Sequence, residues 1–489
     1  MGIVRKQSSI NTLTLLFAIL VGGINTLFLY VYFLEVEYYG LVTFILSTAF
    51  ILKPLMALGV NYSVVKFFSS YKTTLEKDRF LSTALWIPLL IIIPGAFFGS
   101  VFYNEVSNLL SAKNQLVKSY TTHIFLVAFA TAYFEIFYAW ARVHLKSIFG
   151  NVLKELFVRL CASALLGATA FGYITSVQFL DYLTGAYFLQ MFLMLGYALY
   201  LYTPKFTLVL PTNFKEVLKY SLYIILAGSA ATILIDIDKF MIPQKELIAQ
   251  VAFYAVAVYI GSVIEIPGRA MAQIVQPLTA KAINEKDEVA ILNLYKKSAL
   301  NLFLVGGLIY VLVNTNIQYL YRLLPTQYTG GVLVVAFIST AKLYHMFLGN
   351  NGAIISNSNK YKILLPYGLG MAASVILLNY WLIDVLGING AALATLLVVL
   401  VFNTIKLLYV KAQFGIHPIQ KQTIYVLLLI VGCTLLFKNI HLSFHPIVNI
   451  LLTSIFTSIL YIGIAVHFKL SSDVCNAYQS IVNKLKVKS

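Results

Sequence analysis

Charged residues are scarce in this 489-residue chain. They make up 11% of it, whereas 60% of the residues are hydrophobic and the mean hydropathy is +0.85. A soluble domain carries about a quarter charged residues, so the composition predicts an integral membrane protein. The loops between apolar segments are all shorter than a small folded domain, which leaves no room for a separate soluble catalytic unit. We therefore predict that the chain is not an enzyme.

Cysteine and recognised chemical motifs are equally sparse. The three cysteines, Cys161, Cys433 and Cys475, lie far apart and form neither a CxxC motif nor a Cys/His cluster. The sequence also lacks a phosphate-binding GxxxxGK[ST] loop and an HExxH pair. We predict no disulfide, no metal site, no cofactor and no ATP hydrolysis within this chain.

Acidic residues are outnumbered by basic ones, 18 to 35, and the net charge is +17. In a soluble protein this excess would suggest nucleic acid, but here the basic residues gather in the loops of a membrane chain, so no nucleic-acid partner is predicted. With a cytoplasmic N-terminus, little basic charge remains on the opposite side beyond Lys113, Lys118, Lys245, Arg322 and Lys438. The positive-inside rule thus predicts that both termini are cytoplasmic.

Long apolar segments are what the chain does contain, and about fourteen of them could cross a membrane as helices. The first, residues 12–34, is too long for the core of a signal peptide and is expected to remain as a helix. The segments 152–173 and 218–240 are included in the count, and two segments that are not cleanly apolar, 61–80 and 284–298, are expected to be interfacial helices. A connection with two prolines, 203–217, separates two presumed halves of six helices each. We predict an N-terminal lobe at 1–210, a second lobe at 211–415 and a terminal helix pair with a tail at 416–489.

The stretch from Ser221 to Lys281 is predicted to be two membrane helices that carry ionisable residues. Charge inside hydrocarbon is costly unless it is paired or faces a wet cavity, so such residues are candidates for function. Their spacing of three and four places Asp236 beside Lys239, and Glu265 beside Arg269, on one helix face each. Structural ion pairing is the alternative interpretation for both pairs.

Pro267-Gly268 lies inside the second of these pairs. Proline removes a backbone hydrogen bond and tends to kink a helix. We therefore expect a broken helix beside Glu265 and Arg269, which would suit a segment that moves or lines a cavity.

Three stretches resemble the polysaccharide-biosynthesis flippases, the O-antigen type. They are FLEVEYYGLVTFILSTAFILKPLMALGVNYSVVKFFSSY at 33–71, IDIDKFMI at 235–242 and AVYIGSVIEIPGRAMAQIVQPLTA at 257–280. These flippases belong to the multidrug/oligosaccharidyl-lipid/polysaccharide (MOP) exporter superfamily. The resemblance implies an all-α fold in which two six-helix bundles form a V around a central cavity, with an extra C-terminal helix pair.

The resemblance also implies a function. Such flippases move an undecaprenyl-pyrophosphate-linked oligosaccharide from the cytoplasmic to the outer leaflet of the bacterial inner membrane by alternating access. Lipopolysaccharide and other surface polysaccharides are made from such units. The expected partners are the lipid-linked oligosaccharide, membrane lipids, H⁺ or Na⁺ as counter-ion and a polysaccharide polymerase.

Candidate site residues are the charges embedded in helices or at helix ends. An anionic head group needs cations, for which Arg offers a fork and Lys a point charge. The candidate cations are Lys53, Arg142, Arg159, Lys239, Arg269 and Lys342. The candidates for coupling to an ion are Glu135, Asp236, Asp238 and Glu265. Pairing of Arg159 with Glu155, and of Arg142 with Glu135, is the structural alternative.

Two other functions remain open from the sequence. A multidrug or cation antiporter of the same fold would favour an acidic cavity, and drug extruders generally lack the last helix pair. A membrane glycosyltransferase or polymerase is suggested by Asp236-Ile237-Asp238, formally a DxD metal motif. Such enzymes usually place catalytic residues on substantial extracytoplasmic loops, and this chain has none.

The topology can be tested directly. Reporter fusions after Ser489 and within the loop 104–119 should report opposite sides of the membrane, because the basic loops are retained in the cytoplasm. Accessibility of introduced cysteines to a membrane-impermeant reagent is the independent measurement. Finding both positions on one side would contradict the predicted even number of spans.

Overall fold

The computed structural model describes residues 2–111, 113–438, 440, 443–476 and 478–479. Every regular element within these residues is helical, which confirms the predicted all-α class. The chain divides into two compact units. Unit 1 comprises Met1–Ala255 with Asn379–Gly387, and unit 2 comprises Val256–Leu378 with Ile388–Ser489. The predicted lobe boundaries and the V-shaped arrangement of two bundles stay predictions.

Twelve α-helices, α1 to α12, precede the boundary region. In chain order they are Gly2–Ile24, Tyr30–Phe33, Val36–Met56, Val60–Phe67, Thr74–Trp86, Leu89–Val101, Tyr103–Leu110, Gln115–Val143, Ile148–Val152, Val158–Ala170, Ser176–Leu201 and Phe214–Lys245. Two π-helical turns, Asn25–Leu29 and Leu153–Phe157, join α1 to α2 and α9 to α10.

Nine further α-helices, α13 to α21, follow. They are Ala249–Ser262, Ile266–Asn284, Glu288–Arg322, Val332–Phe347, Asn351–Asn357, Leu364–Leu386, Ile388–Phe414, Lys421–Lys438 and Pro446–His467. The unit boundary crosses α13 after Ala255, and the end of α18 from Asn379 belongs to unit 1.

Among the described residues, twelve helices are long and apolar enough to cross a membrane. Helix α12 makes a thirteenth if its two parts, Phe214–Ala230 and Thr232–Lys245, count as one span. The predicted count of fourteen is not confirmed. The predicted span at 152–173 is indeed helical over α9, a π turn and α10, but Lys154, Glu155 and Arg159 make it too charged to join the twelve.

The expected break beside Glu265 is present, and it lies before the proline rather than at it. Helix α13 ends at Ser262, a 3₁₀ turn covers Val263–Glu265, and α14 begins at Ile266 with Pro267 in its first turn. Proline is tolerated there because the first backbone N–H groups of a helix have no partner within the helix. Glu265 is thereby placed at the N-terminus of α14, where the helix dipole favours a negative charge.

Asn114 makes three hydrogen bonds to the turn between α12 and α13. The Asn114 side-chain amide donates to the carbonyl oxygens of Pro243 at 2.6 Å and Glu246 at 2.9 Å, and its Oδ1 accepts from the Ile248 N–H at 2.7 Å. Helix α3 approaches the same turn at Gly40, where an added Cβ would lie 2.0 Å from the carbonyl oxygen of Ile248. Glycine is required here because the obstacle is backbone.

Replacing Gly40 by alanine should therefore destabilise unit 1. Overpacking of this kind costs about 1–3 kcal/mol of unfolding free energy, and the turn cannot retreat without loss of the Asn114 bonds. Gly167→Ala in α10 is the matched control, because nothing lies within 4 Å of its would-be Cβ. Thermal unfolding of the purified protein in detergent should give a lower Tm for Gly40→Ala alone, and equal Tm values for both variants would contradict the close approach.

Candidate functional site

Unit 1 contains one buried carboxylate surrounded by cations. Glu135 lies on α8, the most deeply buried of the spans, and its Oε1 is 2.7 Å from Lys154 Nζ and 3.6 Å from Lys53 Nζ. Arg142, two helical turns further along α8, is close enough to act on Glu135 electrostatically, and its guanidinium lies 5.0 Å from the ring centre of Tyr138. One of the predicted cations, Lys53, is thus brought to the predicted acid, whereas Arg142 acts on it only from beyond 4 Å.

The third cation of this cluster, Lys154, was not among the predicted site residues. It lies in the π-helical turn Leu153–Phe157, a feature often found at functional sites because it locally re-aims side chains. Sequence analysis placed it within the predicted span 152–173, where Lys154, Glu155 and Arg159 lie close together. That excess of charge was the one available signal.

Arg159 follows the same π turn and is engaged differently. Its guanidinium is 3.8 Å from Glu155, one helical turn before it, as the spacing of four predicted. Its carbonyl oxygen accepts a 2.8 Å hydrogen bond from Asn25, which lies in the other π-helical turn, and Ser163 donates to Asn25 Oδ1 at 2.7 Å. Arg159 therefore belongs to a neighbouring contact between two irregular turns and not to the Glu135 cluster.

Unit 2 contains a second carboxylate held among cationic groups. Lys342 Nζ on α16 donates to Glu265 Oε2 at 2.8 Å, and the Arg269 guanidinium is 3.9 Å from the same oxygen. The other carboxylate oxygen, Oε1, is 3.9 Å from His345 Nε2. The predicted ion pair between Glu265 and Arg269 is present, at 3.9 Å. The nearer partner of Glu265 is Lys342, which lies 77 positions away in the chain.

Lys406 on α19 adds a further cation to unit 2 that sequence analysis missed. It is half-buried, its ammonium lies 4.7 Å from the ring centre of Tyr367, and it is close enough to repel a protonated His345. Nearby, the hydroxyl groups of Tyr344 and Thr404 are 2.6 Å apart. An ammonium over an aromatic face can be stabilised without a carboxylate, which leaves Lys406 available to an anion.

Helix α12 carries two aspartates with different partners. Asp236 accepts a hydrogen bond from Lys239 at 2.9 Å, as the spacing of three predicted. Asp238 is buried and accepts hydrogen bonds from two neutral groups, the Tyr254 hydroxyl and, at 2.7 Å, the Asn379 amide on α18. The Asn379 Oδ1 atom is itself buried with no hydrogen-bond partner among the described residues.

The two carboxylate-centred clusters both have more cations than acids. In unit 1, Glu135 contacts Lys53 and Lys154, and Arg142 acts on it from a longer distance. In unit 2, Glu265 faces Lys342 and Arg269. Each cluster therefore keeps net positive charge after its internal ion pairs are counted. In low-dielectric surroundings such a surplus attracts an anion strongly, which is what this arrangement can do chemically.

These features define a class of protein. The described residues form an all-helical, multi-pass membrane fold, and solved structures of membrane transporters share that fold. The lipid II flippase MurJ, in an inward closed conformation, aligns with a TM-score of 0.71 and 14% identity over 94% of this chain and 99% of that chain.

Two multidrug transporter structures extend the likeness. An inward-facing multidrug resistance MATE family transporter of the MOP superfamily aligns with a TM-score of 0.61 and 14% identity, covering 81% of this chain and 94% of that chain. A mutant of the Vibrio cholerae MATE transporter VcmN aligns with a TM-score of 0.56 and 13% identity, covering 84% and 98%. No family model matches the chain, and no curated protein matches it in sequence. The fold is thus one that this chain shares with a lipid II flippase and with multidrug transporters.

Proposed function

We propose that this protein flips an anionic lipid-linked oligosaccharide from the cytoplasmic to the outer leaflet of the bacterial inner membrane by alternating access. The observation that carries the proposal is the surplus of cations around Glu135 and around Glu265. A pyrophosphate linked to undecaprenol would be the anionic group, and the sugar would belong to surface polysaccharide such as O-antigen. Both termini are proposed to be cytoplasmic.

The charge chemistry favours this proposal over export of organic cations. A cationic drug would be repelled by Lys53 and Lys154 in unit 1 and by Arg269 and Lys342 in unit 2, because each group of cations outnumbers its acid. A pyrophosphate would be attracted, and the fork of Arg269 matches its oxygens. The multidrug antiporter remains the alternative that the transport experiment below distinguishes.

The contacts of α12 argue against a DxD-dependent glycosyltransferase. Asp236 and Asp238 are two residues apart, a spacing that points their side chains to different helix faces. Asp236 is paired with Lys239, whereas Asp238 is bonded to Tyr254 and Asn379. The two carboxylates therefore do not converge on one metal ion.

Arg269 is the most informative cation to remove. Its side chain is half-exposed, and Glu265 keeps its 2.8 Å bond to Lys342 without it, so Arg269→Gln should fold. Loss of one charge-assisted hydrogen bond to the substrate should slow transport about tenfold. The measurement is the rate at which the variant restores surface polysaccharide to a deletion strain. Lys281→Gln, an exposed cation of the same unit, is the control and should transport normally.

The same strain separates the two candidate substrates. Deletion should leave lipid-linked oligosaccharide on the cytoplasmic leaflet, where it can be extracted and quantified. Normal surface polysaccharide together with new drug sensitivity would instead establish the multidrug antiporter. Wild-type transport by Arg269→Gln would remove Arg269 from the substrate site.

Asp238 is our proposed site of coupling to H⁺ or Na⁺. Asp238 is buried and accepts hydrogen bonds from the Tyr254 hydroxyl and the Asn379 amide nitrogen, and the Asn379 Oδ1 atom is a buried acceptor without a hydrogen-bond partner among the described residues. Burial disfavours the charged form of a carboxylate, so a proton or a metal cation that neutralises Asp238 relieves part of that cost.

The corresponding test uses proteoliposomes with an imposed proton or sodium gradient. The gradient should accelerate flipping by the wild type and should have no effect on Asp238→Asn. Asp181→Asn serves as control, because Asp181 is exposed and pairs with His123 instead. Gradient-driven flipping by Asp238→Asn, or a wild type that ignores both gradients, would disprove the coupling role.

A further inference from the structure

Each of the two carboxylate-centred clusters contains a glutamate–lysine ion pair between two helices, and the order of acid and lysine along the chain is reversed between the two units. In unit 1 the lysine, Lys53, is on α3 and the acid, Glu135, is on α8. In unit 2 the acid, Glu265, is at the start of α14 and the lysine, Lys342, is on α16. By position in the chain, they lie in the second and fourth predicted spans of each predicted six-helix half, which are 38–60 and 119–141 in the first half and 249–275 and 329–352 in the second. Each half thus has its own ion pair between these two helices, and the helix that carries the lysine in one half carries the glutamate in the other.

The acid of each cluster is less accessible than its cations. The Glu135 side chain is 11% exposed, whereas those of Lys53 and Lys154 are 27% and 39% exposed. The Glu265 side chain is 20% exposed, whereas those of Lys342 and Arg269 are 30% and 52% exposed. An anion that reaches either cluster from water therefore meets the ammonium and guanidinium groups before the carboxylate.

We infer that Glu135 and Glu265 are internal stand-in anions, which hold the substrate-binding cations of their units in the empty protein and release them to phosphate oxygens when substrate binds. This inference rests on the proposed function, since it takes the pyrophosphate of a lipid-linked sugar as the ligand. The geometry supports it because one Glu265 oxygen already lies between Lys342 and Arg269, as a phosphate oxygen would.

A stand-in anion solves a problem that any anion carrier in a membrane faces. Cations left without a partner in surroundings of low dielectric are strongly destabilised. A pyrophosphate carries more charge and more acceptor oxygens than one carboxylate, so it can displace the carboxylate from two cations. When the substrate leaves, the carboxylate recovers its cations, which assists release. Each acid should therefore weaken substrate affinity while it speeds turnover.

The inference predicts that removing a glutamate tightens binding. Farnesyl pyrophosphate, a soluble lipid pyrophosphate, is the probe, and calorimetry on the full chain in uncharged phosphatidylcholine nanodiscs at fixed ionic strength gives its Kd. Glu265→Gln should bind about tenfold more tightly than the wild type, the equivalent of one charge-assisted hydrogen bond regained. The same variant should flip lipid-linked oligosaccharide more slowly.

Three variants make the comparison specific. Glu135→Gln should behave like Glu265→Gln, and because it lies in the other unit it is an independent trial. Lys342→Gln should weaken binding. Glu285→Gln removes an exposed acid of unit 2 whose only described ion pair is with Lys281 at 3.8 Å, so it should change neither affinity nor rate.

The outcomes distinguish failure of the stand-in role from failure of the proposed flippase function. If the wild type binds the probe but Glu265→Gln and Glu135→Gln bind no more tightly, the stand-in role is wrong and the flippase proposal stands. If the wild type does not bind farnesyl pyrophosphate at all, the proposed function fails as well. Failure of both glutamine variants to fold would also overturn the inference, because an acid that substrate displaces must be dispensable for folding.

Discussion

The cost of placing charge in hydrocarbon is the constraint on which this structure depends. Removing one partner from a buried ion pair costs about 3–5 kcal/mol, a large fraction of the stability of a protein. Glu135 and Glu265 each satisfy the constraint by contact with more than one cation. The surplus positive charge that this creates is also the feature that suits the protein to an anionic substrate, so structural stability and proposed function use the same side chains.

Irregular helix geometry accompanies the embedded charge. Lys154 and Glu155 lie in a π-helical turn, and Glu265 ends a 3₁₀ turn that separates α13 from α14. Such breaks expose backbone polar groups that hydrocarbon cannot satisfy, so they are tolerated only where protein or water is nearby. Their coincidence with charge indicates that these segments face protein or a wet space rather than lipid.

Asp236 and Asp238 are near neighbours in the chain but have different hydrogen-bond partners in the structure. Their sequence environment is almost the same, but one is held by a lysine on its own helix and the other by neutral groups from α13 and α18. The second is buried and bonded to groups on two other helices, which is why we propose it, and not Asp236, as the ion-coupling acid. Two aspartates that are two positions apart in the chain thus have hydrogen-bond partners on different helices.

The sequence by itself determined the all-α membrane class and the ion pairs that lie within one helix. Hydropathy over about twenty residues and side-chain spacings of three or four are local properties, so Asp236–Lys239 and Glu155–Arg159 could be predicted. Only the tertiary structure decided that Glu265 prefers Lys342 to Arg269, that Lys154 joins Glu135, and that Asn379 reaches Asp238. These contacts join helices distant in the chain, and helix packing, which no local pattern encodes, selects which side chains meet.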